Sequence, residues 1–142
     1  MTPDDMKSTI RRANDDCWHM RDLDAAYERF SEDLVFRRVP FPAVKGKTAN
    51  RKGDEKTLAA YSETRSIIHE VVTEGDTAVA HWTWEGIHTG PSPSLGIPPT
   101  GKKVEMSGCS LYHFRDGEIF EVLEFGDLLG MLQQLGVIPA FS

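Results

Sequence analysis

Hydrophobic residues recur at helical spacing in the first part of the chain. One apolar stripe runs through Met6, Ile10, Ala13, Cys17 and Met20, which predicts an amphipathic helix. A threonine followed by a proline, at positions 2 and 3, predicts its start. Similar stripes predict a second helix over residues 23–30, after a capping aspartate, and a third over residues 54–65. A short strand over residues 34–36, closed by two prolines, is predicted between them.

From residue 66 onward the pattern changes to that of strands. Four strands are predicted, over residues 66–73, 77–89, 103–115 and 118–125, and the proline-rich stretch 90–101 is predicted to be a loop. Asp127 then caps a last helix over residues 128–135. Helices followed by an antiparallel strand run predict an α+β fold. Because no linker, repeat or low-complexity segment occurs, we expect a single domain over residues 1–142.

Composition and charge narrow the functional classes. The chain has 142 residues, 39% hydrophobic and 27% charged, which is typical of a soluble globular protein. Its net charge of −6 argues against nucleic-acid binding, and we interpret the one basic stretch, residues 45–56, as a solvated loop. The sequence shows neither a membrane-spanning apolar run nor a secretory signal, so a cytoplasmic protein is expected. The histidines lack metal-ligand spacing, so no zinc site is expected.

Strand alternation separates an apolar face from a wetter one. In the second half of the chain the even-numbered strand positions build an apolar wall that includes Trp82, Trp84, Met106 and Tyr112. Small residues, among them Ser110, leave room beside the large ones. Phe120, Val122 and Glu124 continue this face on the last strand, and Glu124 is the only carboxylate in the set.

A carboxyl group among apolar side chains suits proton transfer. Loss of hydration disfavours the charged form of such a group and therefore raises its pKa towards neutral pH. A pKa near the working pH is what general acid–base catalysis requires. Glu124 is therefore the leading candidate catalytic residue. The alternative is that the strand alternation slips at a bulge and that Glu124 is a solvated residue at the rim.

Several segments resemble one protein family. They are Gly86-Ile87-His88-Thr89-Gly90, Leu95-Gly96-Ile97-Pro98-Pro99-Thr100-Gly101, Arg115-Asp116-Gly117-Glu118-Ile119, and the run from Leu128 to Gly136. In order and spacing they are similar to the SnoaL-like polyketide cyclases, within the nuclear-transport-factor-2-like superfamily. The resemblance implies a cone-shaped α+β barrel, in which a curved antiparallel sheet is closed by N-terminal helices.

The resemblance also implies a chemistry. Characterised members cyclise polyketide esters by an intramolecular aldol step, without metal or organic cofactor, using a carboxylate on the last strand. Glu124 falls at that position, where the family carries aspartate. The family's glutamine and histidine on the preceding strand become Gly108 and Ser110, and its histidine on the last strand becomes Val122. The implied pocket therefore has fewer hydrogen-bond donors.

The remaining candidates complete the expected site. Asp127 is interpreted mainly as a helix cap, with a second catalytic acid as the alternative. We expect the residues that shape the pocket, with His88 at its mouth, to be Trp18, Phe36, Trp82, Trp84, His88, Met106, Ser110, Tyr112 and Val122.

The expected ligand is a small apolar carbonyl compound or a polyketide-like one. A binding protein without catalysis and a purely structural subunit are the alternatives, and the resemblance implies a homodimer formed through the outer sheet face that carries Leu111, Leu123 and Phe125.

Overall fold

Helix α1 (Pro3–Trp18) and the short helix α2 (Leu23–Ala26) open the chain. In this computed structural model, which describes residues 1–92 and 95–141, α1 begins where the sequence predicts. The Thr2 hydroxyl accepts the backbone N–H of Asp5, and the Asp5 carboxylate accepts the backbone N–H of Thr2. This reciprocal capping box satisfies two backbone donors that have no partner inside the helix. Asp22 caps α2 through the backbone N–H of Ala25.

Six strands form one curved, open sheet of an α+β fold, in the order β2-β1-β6-β5-β4-β3. Strands β1 and β6 pair in parallel, and all other neighbours are antiparallel. No helix among the described residues is long and apolar enough to cross a membrane. The remaining elements are β1 (Phe30–Val39), β2 (Val44–Lys45), α3 (Lys47–Ala60), β3 (Tyr61–Glu74), β4 (Thr77–His88), β5 (Lys103–Arg115), β6 (Glu118–Gly126) and α4 (Leu128–Gln134).

The predicted inner face is confirmed most clearly on β4. Every even position of this strand is buried, from Ala78 to His88, and no odd position is. The helices cover this face, and the core forms between the two layers. Met6 and Ile10 of α1, Leu34 of β1 and Val122 of β6 are all almost inaccessible to solvent.

The register between neighbouring strands shifts at several places, and the shift that bears on the prediction lies at the hairpin between β5 and β6. The register shifts between His113 and Phe114, and as a result Ile119 is fully buried. Phe120 was predicted to point inward, which is wrong: its ring is half-buried and lies under the guanidinium of Arg115, 4.5 Å from the ring centroid. A bulge places two residues opposite one and thereby exchanges the faces. Glu124 keeps its predicted face because regular pairing resumes before it.

The third helix differs from the prediction at both ends. Helix α3 begins at Lys47 rather than at residue 54, so most of the basic stretch is helical rather than a solvated loop. The sequence hides this start because Gly46 occupies the N-cap with a φ of 96°, and it offers no capping side chain. Asn50 instead donates to the carbonyls of Val44 and Gly46.

Strands β1 and β3 are longer than predicted, and the two-residue strand β2 was not predicted. Helix α3 ends at Ala60, and Tyr61 begins β3, so residues 61–65 belong to a strand and not to the helix. Phe30 likewise begins β1 rather than ending the second helix. The predicted loop 90–101 contains residues 93 and 94, which lie outside the described residues.

Candidate active site

Glu124 lies on the inner face of β6, at the centre of a polar row that crosses the sheet. Its Cα pairs with Arg38 of β1 on one side and with Ser110 of β5 on the other. Ser110 pairs in turn with Ala80 of β4. The Glu124 side chain is 18% exposed, so it is neither a free surface carboxylate nor sealed from solvent. The row brings three side chains from three strands together because paired residues share a face.

Both oxygens of the Glu124 carboxylate accept hydrogen bonds. The Arg38 guanidinium donates from Nε to Oε2 at 3.0 Å, and the Ser110 hydroxyl donates to Oε1 at 2.9 Å. Ser110 is fully buried, and its oxygen accepts the indole N–H of Trp82 at 2.9 Å. A guanidinium–carboxylate hydrogen bond is stronger than a neutral one. Glu124 is therefore held in a fixed orientation.

The indole of Trp82 reaches Ser110 because two glycines leave the sheet bare beneath it. A Cβ on Gly108 would lie 2.7 Å from the Trp82 ring and 2.3 Å from the Phe125 carbonyl oxygen. A Cβ on Gly126 would lie 3.4 Å from the same ring. The absence of a side chain at residue 108 therefore lets the aromatic ring take that place.

A second carboxylate shares the same guanidinium. Arg38 Nη2 donates to Asp54 Oδ1 at 3.4 Å, and the Tyr27 hydroxyl donates to the other Asp54 oxygen. Asp54 is buried in the interior of α3. Burial alone lowers the pKa of Arg38, but the charges of Glu124 and Asp54 outweigh it and raise the pKa above its usual value. Arg38 also lies over the ring of Phe36, 4.2 Å from the centroid, a favourable cation–π contact.

The other titratable groups around this cluster are neutral. Burial raises the pKa of Tyr112, and the nearby Glu124 charge adds to the effect. Burial likewise raises the pKa of the Tyr27 hydroxyl and the Cys17 thiol, with Asp54 acting in the same direction. With both carboxylates ionised, the cluster carries one positive and two negative charges, a formal charge of −1.

A second group of predicted residues lies towards the end of β4. The rings of Trp84 and Tyr61 meet edge to face with centroids 5.0 Å apart, and Tyr61 contacts His88 at 5.2 Å. Trp18 of α1 packs against Trp84 at 5.6 Å. Because Trp84 and His88 lie four and eight residues along β4 from Ala80, the structure sets this aromatic cluster apart from Glu124.

Buried polar atoms of the aromatic cluster have no hydrogen-bond partner among the described residues. They include the Trp84 indole N–H and Nε2 of His88. The backbone N–H of Thr100 donates to Nδ1 of His88 at 3.2 Å, so the ring proton of neutral His88 resides on Nε2. Burial lowers the pKa of His88, which favours this neutral form. Trp84 and His88 thus each present a buried donor.

Asp127 caps the last helix. Its carboxylate accepts the backbone N–H of Gly130 at 2.9 Å, which confirms the capping interpretation. Val122 is fully buried, lies two residues before Glu124 on β6, and pairs with Tyr112 of β5. Met106 is half-buried, with its sulfur 3.1 Å from where a Cβ of Gly126 would lie. The roles predicted for these residues stay predictions.

Sequence reasoning missed three members of the polar cluster: Arg38, Asp54 and Tyr27. Strand β1 was assigned only residues 34–36, although continued alternation places Arg38 on the same face as Leu34 and Phe36. Asp54 was taken as the start of the third helix, and Tyr27 as part of the apolar face of the second. Alternation along a longer first strand was the one signal that could have found Arg38.

The structure also shows a surface groove of about 560 Å³. It lies along Glu63–Arg65 of β3 and Glu85–Ile87 of β4 and includes His19 of α1, but it contains none of the predicted site residues. An enclosed pocket beside Glu124 therefore stays a prediction. Within residues 1–92 and 95–141, no three His, Cys, Asp or Glu side chains are arranged to hold a metal ion.

The comparisons with known proteins agree with this architecture. The family model described as SnoaL-like polyketide cyclase matches residues 8–135. The chain belongs to this family. No curated protein matches it in sequence.

Solved structures share the fold over almost the whole chain. A protein from Jannaschia sp. CCS1, provisionally described as a SnoaL-like polyketide cyclase, superposes with a TM-score of 0.86 at 23% identity, covering 98% of each chain. TsrD from Streptomyces laurentii gives 0.86 at 24% identity, covering 97% of this chain and 99% of its own. An LEH-like epoxide hydrolase from M. tuberculosis gives 0.74 at 17% identity, covering 94% and 91%. At such identities the likeness establishes the fold, which hosts several chemistries.

Proposed function

We propose that this protein is a cofactor-independent acid–base enzyme that moves a proton on a small, mostly apolar carbonyl compound. The observation that carries the proposal is the Glu124 carboxylate, fixed by Arg38 and Ser110 on the inner face of the sheet. Solvent reaches both Glu124 and Arg38, whose side chains are 18% and 38% exposed. A small molecule can therefore approach the pair, and membership of the cyclase family supports the same chemistry.

The proposed reaction begins at a carbon next to a carbonyl group. Glu124 takes a proton from that carbon, so the C–H bond breaks, an O–H bond forms on the carboxyl group, and the electron pair moves to the carbonyl oxygen. The enolate carbon then attacks a second carbonyl of the same molecule, and Glu124 returns its proton to the new alkoxide. General acid–base catalysis of this kind contributes roughly 10²–10⁴-fold.

Arg38 supports the charge that develops in this reaction. Its Nε donates to Glu124 and its Nη2 to Asp54, whereas its Nη1 takes part in no hydrogen bond with the described residues. A guanidinium donor aimed at an enolate oxygen supplies the electrostatic stabilisation that is often the largest catalytic contribution. Arg38 thereby compensates for the polar family residues that this chain lacks at positions 108 and 122.

The expected substrate class follows from the surroundings of this pair. Aromatic and aliphatic side chains dominate the inner face, and the cluster already carries net negative charge, so we favour a neutral, apolar, polyketide-like carbonyl compound.

The test measures proton transfer directly. Deuterium incorporation next to the carbonyl of 2-tetralone, acetoacetate esters and similar small ketones is followed by NMR in D2O. Wild-type protein should accelerate exchange for part of this panel, and Glu124→Gln should abolish the acceleration while ligand affinity is retained. Glu121→Gln is the matched control, because Glu121 lies on the same strand but is 41% exposed and pairs with His113.

A binding protein without catalysis is the second candidate. It is favoured by the closed hydrogen bonding of Glu124, both of whose oxygens already have donors. Calorimetry on the same ligands separates the candidates. Tight binding with no exchange, in wild type and Glu124→Gln alike, would support the binding protein.

We also propose a homodimer through the outer sheet face. Leu123, Leu111, Val79 and Val72 pair across four neighbouring strands, and they form an apolar row with Val72 and Phe125 substantially exposed. Light scattering should give twice the chain mass for wild type and the monomer mass for Leu111→Glu. A monomeric wild type at micromolar concentration would contradict this part of the proposal.

A further inference from the structure

We propose that Asp54 is a positioning residue that acts through Arg38 to keep Glu124 available as a base. The inference rests on the proposed function, because it concerns how strongly Glu124 can attract a proton. Asp54 does not contact Glu124 directly. Its effect is transmitted by the one guanidinium that both carboxylates share.

The geometry of α3 and β1 makes Asp54 part of the cluster. Asp54 projects from the interior of α3, is only 6% exposed, and accepts hydrogen bonds from Arg38 and from Tyr27. A charged side chain inside a helix and turned towards the core is costly unless it is paired. Here Tyr27 fixes one oxygen and Arg38 the other, so the orientation of Asp54 is determined from both sides.

Because Glu124 and Asp54 share the positive charge of Arg38, Asp54 affects how strongly Glu124 attracts a proton. In an isolated pair, Arg38 would neutralise Glu124 and make it a poorer base, because a neighbouring positive charge favours the ionised carboxylate. Asp54 engages the same guanidinium and leaves the cluster with one net negative charge. The positive charge is thus divided, and Glu124 retains more of its capacity to accept a proton.

The titratable side chains that face the two carboxylates come from several elements. Arg38 comes from β1, Tyr112 from β5, Tyr27 from the segment after α2, and Cys17 from α1. The last three are neutral because burial raises the pKa of each. Arg21, which faces Cys17, donates instead to the Leu58 carbonyl and the Thr64 hydroxyl. Arg38 is therefore the cation that the two carboxylates contact.

The test compares the pH response of wild type and Asp54→Asn. Protein labelled with carbon-13 at the glutamate carboxyl groups gives one resonance per glutamate, and the resonance missing from Glu124→Gln identifies Glu124. Its titration midpoint should move to lower pH by about one unit in Asp54→Asn. The acidic limb of kcat/KM for deuterium exchange should move with it, and kcat should fall roughly threefold with little change in KM.

Two further variants serve as controls. Asp33→Asn removes a carboxylate from the exposed Asp33–Arg115 ion pair and should leave the Glu124 midpoint unchanged. Asp54→Glu keeps the negative charge and should restore the wild-type pH limb. Should Asp54→Asn not give a folded spectrum, the smaller Asp54→Ser, which can still accept from Tyr27, takes its place.

The outcomes separate the inference from the function on which it rests. An unchanged Glu124 midpoint in a folded Asp54→Asn protein would overturn the inference, whatever the activity. Exchange that survives in Glu124→Gln would overturn the proposed function instead. A uniform loss of kcat without movement of the pH limb would show that Asp54 is merely structural.

Discussion

At the β1–β6–β5 side of the inner face, the polar side chains bind one another, whereas near the start of β3 and the end of β4 some buried polar atoms have no partner among the described residues. Tyr27, Asp54, Arg38, Glu124 and Ser110 form one continuous hydrogen-bonded chain that ends at the Trp82 indole. Beside the first residues of β3, the indole N–H of Trp84 and Nε2 of His88 are buried without acceptors among the described residues. The two clusters share one strand, β4, and one apolar face.

The difference indicates two kinds of preorganisation. In the polar chain each group is held by its neighbours, so the orientation of Glu124 and Arg38 is determined before any ligand arrives. A preorganised charge arrangement of this kind suits catalysis. In the aromatic cluster the unpaired donors leave a cost that a ligand oxygen, or a buried water molecule, would relieve. This suits recognition.

The largest effect is expected from breaking the polar chain at its centre. Replacement of Arg38 by methionine leaves two carboxylates facing each other without a cation. We expect a loss of about 3 kcal/mol in the free energy of unfolding, at the lower end for an interrupted buried pair because Arg38 is 38% exposed. Urea denaturation at neutral pH measures it.

Two comparisons sharpen this prediction. Arg37→Met, on the exposed side of the same strand, should cost little. The loss in Arg38→Met should also shrink in mildly acidic solution, where protonation of the two carboxylates relieves their repulsion. Equal losses for Arg37→Met and Arg38→Met would show that the hydrogen bonds of Arg38 to Glu124 and Asp54 add nothing to stability beyond the effect of a surface charge.

The next effect concerns the support beneath the polar chain. Gly108→Ala places a methyl group where the Trp82 ring and the Phe125 carbonyl already lie, so the ring must leave Ser110. Overpacking of this kind costs about 2 kcal/mol. Gly53→Ala, inside α3 with nothing within 4 Å of the new Cβ, is the control and should stabilise the protein by roughly 0.5–1 kcal/mol. A neutral Gly108→Ala would mean that Trp82 can relocate without loss.

The sequence predicted most of the aromatic cluster but only part of the polar one. The inner face of β4, the position of Glu124 and the Asp127 cap were predicted because each depends on local alternation or local capping. Arg38 and Asp54 were missed because their roles arise from contacts across the fold: Arg38 meets Glu124 over a separation of 86 residues. Alternation along β1 could have placed Arg38 on the inner face, but no local pattern could have paired it with Glu124 or Asp54.

The errors have equally specific causes. The start of α3 was placed at an acidic residue because acids favour helix starts, but here a glycine begins the helix and the acid is buried in its interior. Phe120 was assigned inward because strict alternation assumes regular pairing, and the shift at His113 and Phe114 breaks it. Both misplacements occur where one residue overrides a periodic rule.

A smaller effect compares the two tryptophans of β4 directly. Both rings are buried to a similar extent, at 7% and 6% exposure, so replacement by phenylalanine removes similar apolar area. Trp82→Phe also loses the hydrogen bond to Ser110, whereas Trp84→Phe removes a donor without a partner. Trp82→Phe should therefore be less stable than Trp84→Phe by about 1 kcal/mol in urea denaturation. Equal stability would indicate that the Trp84 indole is already satisfied, for example by buried water.

The smallest effect is the pH response of the aromatic cluster. Burial lowers the pKa of His88 in the folded protein, so below the ordinary histidine value of about 6.5 the unfolded chain binds more protons than the folded one. Stability due to neutral His88 is thus present above that value and is lost as the pH falls towards the folded-state pKa. The difference in unfolding free energy between wild type and His88→Gln should narrow over this range. A constant difference for His88→Gln would mean that the cluster tolerates a protonated imidazole.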